Sequence, residues 1–453
     1  MQAPAQCRRV RVLPEDLGTR IRRAHEAIDR DRLVELCRAL VDVPSPTGDE
    51  APLARVIADL LVACGADGRV QPLDHRQANA WGRLASTGAG GGATLMLYAP
   101  IDTMTTGDPR HDLPHVAAEL DPHLLPHSLV DGGRVVGLGA MNPKGHAACI
   151  LGAVEAIATS GVELDGDLIA AFGAGGMPTN SLPELDGAPQ RHHTGQGVGC
   201  SFLIEQGVWA DAAVIAKSGW AIAWEEVGLA WCDVTVRGTH TYVGARHLIP
   251  YRNAIADAAT VVQCLEAWFV ERAGRWGVEH PDSHVEPQGM VAAISGGWQR
   301  MAAFAPAEVK IRVDMRLAPG ESPLDARRAL VGAVAMLASD GIDLDVELVV
   351  GIPGSRTEPD HWIVSTAVDA WEAETGEQHV ATRRTSGATD ANILRNRGIP
   401  TVRVGLPKGT EPDGSPMGFG PGMNAVDVDA LEMLTKYLVR LALTATSIKA
   451  GSQ

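Results

Sequence analysis

Apolar residues recur at helical spacing through 19–40 (Ile21, Ala24, Ile28, Leu33, Leu36, Cys37, Leu40), which predicts an amphipathic helix. The pattern stops at Val41-Asp-Val-Pro-Ser-Pro-Thr-Gly-Asp-Glu50, because Pro44 and Pro46 cannot continue a helix. Thr47 or Asp49 can cap the next helix, expected over 51–64 with Pro52 in its tolerant first turn. Short strands at 70–73 and 80–85 precede an apolar strand that starts at Thr94 and ends on Asp102. A glycine-rich turn at 137–145 opens a buried helix over 145–160, and continuous apolar runs at 167–172 and 211–216 read as parallel strands covered on both faces. The pattern then alternates along 227–238, before a long amphipathic helix to about 272, strands at 292–298 and 308–316, and a helix at 322–339.

These elements predict an α/β protein: a mixed, mostly parallel sheet flanked by helices, interrupted by a smaller α/β insert. At 453 residues the chain is long for one core, and two domains are expected: 1–226 with 349–453, and 227–348 as the insert. A strand ending in Asp102 followed by a glycine turn at a helix start is how α/β enzymes present chemistry at a sheet's carboxyl edge.

Charge and composition narrow the partners. A net charge of −16 argues against binding a phosphate backbone, which requires clustered Lys and Arg. Apolar residues make up 45% of the chain, yet no stretch approaches the unbroken length of a membrane span, and the first 18 residues lack the apolar centre of a signal peptide. A cytoplasmic protein without nucleic-acid or membrane partners is expected. The seven cysteines are scattered, with no Cys-x-x-Cys pair, and read as reduced and mostly buried. His111, His115, His123 and His127 crowd the segment 107–130, but prolines 109, 114, 122 and 126 break any helical ligand pairing, so a solvated loop is expected. His192 and His193 are adjacent, and in an extended chain neighbouring side chains point to opposite sides.

Five motifs in order carry a resemblance: the Pro-Ser-x-x-Gly-x-Glu turn ending at Glu50, the strand ending at Asp102, Gly137-Leu-Gly-Ala-Met-Asn-Pro-Lys-Gly145, Asp314-Met-Arg316, and Gly387-Ala-Thr-Asp-Ala391 before a Gly-Ile-Pro strand. The chain resembles the dinuclear metal hydrolase family that includes aminoacylase, carboxypeptidase G, acetylornithine deacetylase and succinyl-diaminopimelate desuccinylase, as a divergent member. The resemblance implies a zinc-peptidase-like fold whose insert is a lid and dimerisation domain, and hence a homodimer formed through that insert. It also implies where metals would sit. The five ligand positions here read Pro100, Asn142, Gly176, Lys217 and a glycine near 420, and the position of the general base reads Gly175. Zinc needs several N, O or S donors, so the expectation is no metal and no cofactor.

Two functions follow from that frame. In the first, the chain is a metal-independent hydrolase acting on a C–N bond of a small amide, ureido or cyclic amide compound. Lys217, His240 and Asn142 would then donate to an oxyanion, and Asp102 would act as general base. Spacing leaves Tyr242 or His247 as alternatives to His240. Lys144, Thr103, Ser218, Tyr242, Ser386, Thr389 and Asp390 would hold the substrate; Ser218, Thr103 and Cys149 are also candidate nucleophiles, none in a recognisable triad setting. Arg246, Arg252, Arg316 and Arg384 suggest an anionic small molecule. In the second, the chain is a non-catalytic binding protein, with Asp102 as a cap or in a buried salt bridge to Lys217 or Lys144, His240 bonded within the lid, and Asn142 a turn residue. Rescue by other metal ligands is a third possibility.

Overall fold

The computed structural model describes residues 15–451 apart from 89, 114, 183–190, 192, 411–414 and 416, so His192 lies outside the described residues. The chain divides into two compact units. Unit 1 comprises 1–224, 357–380 and 397–453; unit 2 comprises 225–356 and 381–396.

Unit 1 is built on a six-stranded sheet in the order Arg69–Pro72, Ala78–Leu84, Leu168–Gly173, Leu95–Pro100, Ala212–Ala216, Thr401–Val404. The last four strands are mutually parallel and the first two antiparallel, giving a mixed, mostly parallel sheet. Every residue of the three strands 95–100, 168–173 and 212–216 is buried, which explains their unbroken apolar runs. Helix Lys144–Ser160 packs against helices Arg30–Val41 and Val428–Thr446, closing one hydrophobic core with the sheet. Gly173 is required at its strand end, because a Cβ there would lie 1.8 Å from the hydroxyl of Tyr98 on the neighbouring strand.

Unit 2 is a four-stranded antiparallel sheet, ordered Gly289–Gly296, Glu308–Leu317, Gly228–Arg237, Asp343–Ile352. Alternating residues of 228–237 are buried beneath helices Ala254–Glu279 and Pro323–Ser339. Both helices start as their sequences dictate: the Asn253 side chain accepts from the amide of Ile255, and Ser322 from that of Asp325. The last strand continues to Ile352, past the expected return at 349. The segment 381–396 belongs to this unit, a difference from the expected division with a clear cause. Thr385 exchanges backbone bonds with His284 and Glu286, and Asn392 is bonded to Ser355 and to the carbonyl of Val227.

Candidate active site

The parallel strands of unit 1 end together, so the residues just after them converge: Asp102 after 95–100, Gly175 to Met177 after 168–173, and Lys217 after 212–216. The turn Pro44-Ser45-Pro46-Thr47 clamps the segment that carries Asp102. Ser45 donates its hydroxyl to the carbonyl of Ile101 and accepts at its own carbonyl from the amide of Thr103, while Thr47 N–H bonds the Thr103 carbonyl.

Asp102 is fully buried and every one of its visible partners is a donor. Oδ1 accepts from the amide of Gly176 at 2.8 Å; Oδ2 accepts from Thr47 Oγ1 at 2.6 Å and the Met177 amide at 3.1 Å. Burial pushes its pKa up, opposed by the Thr47 hydroxyl, the charge of Lys217 and the two amides. A carboxylate enclosed in this way holds the 175–177 turn and has no access to water, which corrects its expected role as general base. Its neighbour Glu50 is also fully buried. Glu50 Oε1 accepts from the amides of Gly48 and Gly175, both at 2.9 Å, and Oε2 has no partner. Burial, reinforced by the charge of Asp102, holds Glu50 well above the usual carboxylate range. Both carboxyls are pushed up by burial, and Asp102, where Thr47, Lys217 and two amides oppose the push, is the less raised of the pair.

Lys144 is corrected as well. It is 1% exposed, and its ammonium donates to the carbonyls of Val43 at 2.8 Å and Val41 at 3.5 Å, so it braces the interior and holds no substrate. Burial lowers its pKa to about 7. Cys149 lies wholly inside the core with its thiol pushed up by burial, which removes it as a nucleophile. His146, unmarked in the sequence, is buried beside the strand ends; its Nε2 accepts from the amide of Leu406 at 3.1 Å, and burial lowers its pKa to about 3, so it is neutral.

A cavity of about 510 Å³ opens at this edge, and Thr103, Asn142, Met177, Met423, Asp121 and His123 are among its lining residues. Asn142 is 6% exposed; its Nδ2 approaches Met423 Sδ at 3.5 Å and its Oδ1 has no partner. Thr103 donates its hydroxyl to the Thr105 carbonyl at 2.8 Å. Lys217 and Ser218 stand just behind, Nζ 3.4 Å from Met177 Sδ and Oγ 3.4 Å from Met141 Sδ. The histidine-rich segment, expected as a solvated loop, is exposed at His115 and His127, and its Asp121, His123 and Leu124 also form part of the wall. Helix Pro109–Asp112 and the turn Pro122–Leu124 order it, and His123 Nε2 comes within 3.6 Å of Asp121 Oδ2. Periodicity could not reveal this pair, whose only signal is the spacing Asp-Pro-His across a tight turn.

The remaining candidates are in unit 2. His240 Nδ1 lies 2.8 Å from the Ala305 carbonyl with its ring stacked on Phe304, and Tyr242 packs on the same ring, half exposed. Thr389 donates to Glu226 Oε2 at 2.6 Å and accepts from the Ala391 amide, while the Asp390 carbonyl accepts from the amides of Ile393 and Leu394. Ser386 accepts from the Gln288 amide at 3.3 Å. The hydroxyls expected to hold substrate therefore fasten the short helix Ala391–Asn396 and its surroundings. Glu226 and Arg395 make a buried ion pair beside them, 3.6 Å apart. The arginines read as an anion site are also engaged: Arg252 with Asp257 and Arg316 with Asp314, each at 2.8 Å, Arg384 with Glu286 at 3.5 Å, and Arg246 over the ring of Tyr251.

A mostly parallel sheet with a cavity at its carboxyl edge and an antiparallel α/β insert defines a metallopeptidase-type hydrolase fold. Residues 96–444 match the peptidase family M20/M25/M40, and the chain belongs to that family. The fold is shared with an aminopeptidase PepT from Bacillus cereus (19% identity, TM-score 0.63, covering 93% of this chain and 100% of that one). It is likewise shared with human carnosine dipeptidase 1 (15%, TM-score 0.68, covering 96% and 100%). An amidase of the hydantoinase/carbamoylase family from Burkholderia multivorans matches at 16% identity and a TM-score of 0.57, covering 92% and 98%.

The metal pair that the resemblance implies does not fit these residues. Gly176 faces Asp102 with an N–H donor, and Lys217 brings a cation to the same edge. Gly175 has φ +60°, and a Cβ there would meet the Thr194 carbonyl at 2.0 Å, so the backbone itself has closed the space of the base. Among the described residues no group of three His, Cys, Asp or Glu side chains is placed to hold a metal ion. No described helix is long and apolar enough to cross a membrane.

Proposed function

We propose that this chain hydrolyses a C–N bond of a small amide, ureido or cyclic amide compound in the unit 1 cavity, with side chains in place of metal ions. The observation that carries the reading is the His123–Asp121 pair in the wall of the same cavity as Asn142 and Thr103. An imidazole steadied by a carboxylate can take the proton of a water as its oxygen adds to the carbonyl carbon, and can return that proton to the nitrogen as the C–N bond breaks. One N–H of the Asn142 amide meets the Met423 thioether and the other donates to the developing oxyanion, while Lys217 behind Met177 favours negative charge there. The names of the similar structures, an aminopeptidase, a dipeptidase and an amidase, agree with C–N hydrolysis. Turnover of a panel of amides, ureido acids and cyclic amides by metal-depleted protein, with and without chelator, tests it. Loss of turnover on depletion and its return with a stoichiometric transition metal contradict it.

The second reading, a non-catalytic binding protein, is favoured by the saturation of Asp102, whose three donors leave it a structural role. It requires ligand-induced stabilisation without product at any incubation time.

A further inference from the structure

The cavity's lining carries information about the ligand's charge. Its wall is mainly apolar, from residues such as Leu124, Leu138, Met177 and Met423, and among its described lining residues the carboxylate is Asp121, 58% exposed at the side chain. Among the described lining residues none is Lys or Arg, and Lys217, at the same strand ends, is held against Met177 Sδ and faces the charge of Asp102. Asn142 supplies an independent observation. Its Nδ2 is turned to a thioether, which accepts but does not donate, and this fixes the buried Oδ1 as an acceptor with nothing to accept. A buried carbonyl in that state gains from a ligand N–H. The net charge of −16 adds a field that concentrates cations and repels anions.

We propose that the ligand of this cavity is an apolar amide bearing a cationic amine: its N–H meets Asn142 Oδ1, its acyl chain lies on Leu138 and Met423, and its ammonium sits by Asp121. This rests on the cavity assigned above and reverses the anionic ligand that the arginine count suggested. Calorimetric titration of the full chain with three probes of equal length tests it: N-hexanoyl-1,4-diaminobutane, N-hexanoylpentylamine and N-hexanoyl-4-aminobutanoate. The cation is expected to bind about tenfold more tightly than the anion at low salt, with the neutral amide between them and the gap narrowing as salt rises. Asp121→Asn, at an exposed position, removes most of the gap, and Asn142→Leu weakens all three probes by about tenfold. Tightest binding of the anion, equal binding of the three, or no binding of any at millimolar concentration overturns the inference. Binding of the cation without product overturns the hydrolase reading alone.

Discussion

Replacing Asp102 with asparagine separates a structural carboxylate from a catalytic one. The carboxylate accepts three hydrogen bonds while fully buried, and an asparagine keeps one acceptor oxygen. With the oxygen at the Oδ1 position, the new amide can donate to a rotated Thr47 hydroxyl but confronts the Met177 N–H. In the flipped rotamer it confronts the Gly176 N–H. Either way one buried backbone donor is left unpaired, at about 1–3 kcal/mol. Lys217, part-buried, also loses its opposing charge, adding roughly 1 kcal/mol. A total of about 2–4 kcal/mol lowers the thermal midpoint of a unit of this size by roughly 3–6 °C. Scanning calorimetry with urea denaturation as a second probe measures the loss. A variant within about 0.5 kcal/mol of the parent, yet devoid of turnover, refutes the structural assignment and returns Asp102 to the role of base.

Three further outcomes follow from particular contacts. Lys144 has a folded pKa of about 7 against 10.5 for the free side chain, so between those values the unfolded chain holds one more proton and stability rises with pH. The gain, at most about 5 kcal/mol, is absent in Lys144→Met, and urea midpoints of parent and variant should diverge from about pH 7 to 10 instead of running parallel. His123→Ala should lower kcat by about 100-fold or more with little change in thermal midpoint, since the side chain is only partly buried; unchanged kcat removes it from the mechanism. Unit 2 ends on strand Gly289–Gly296, where Met290 and Ile294 are 55% and 57% exposed, and self-association is expected along that edge. Ile294→Lys should then shift sedimentation toward monomer, and a parent that is already monomeric contradicts this.

The fold was legible because its signals are local. Unbroken apolar runs marked the central strands, prolines 44 and 46 marked a helix stop, and amphipathic periodicity marked the two helices of unit 2. The site was legible only as a place. Sequence order put Asp102 and Lys217 at strand ends, but it could not tell that the Gly176 and Met177 amides enclose the first or that Lys144 points inward. Those facts depend on where glycines send the backbone, as the left-handed Gly175 does by closing on Thr194. His123 and Asp121 were hidden because a proline-broken segment has no period to read, and its wall-forming role comes from packing with residues that are distant in sequence, such as Met423. The Gly-Ala-Thr-Asp-Ala turn misled for the opposite reason: its small hydroxyl and acidic residues suit a ligand equally well as a helix start, and here Glu226 takes the hydroxyl.

The central claim is a peptidase-family fold whose hydrolytic edge has been rebuilt without metal ligands, and metal stoichiometry tests it most directly. The chain, dialysed against excess zinc, manganese and cobalt and then desalted, is analysed by plasma mass spectrometry. The account predicts well under one bound metal per chain, unchanged by Asp121→Asn or His123→Ala. Two tightly bound metals per chain, lost in those variants, would contradict it.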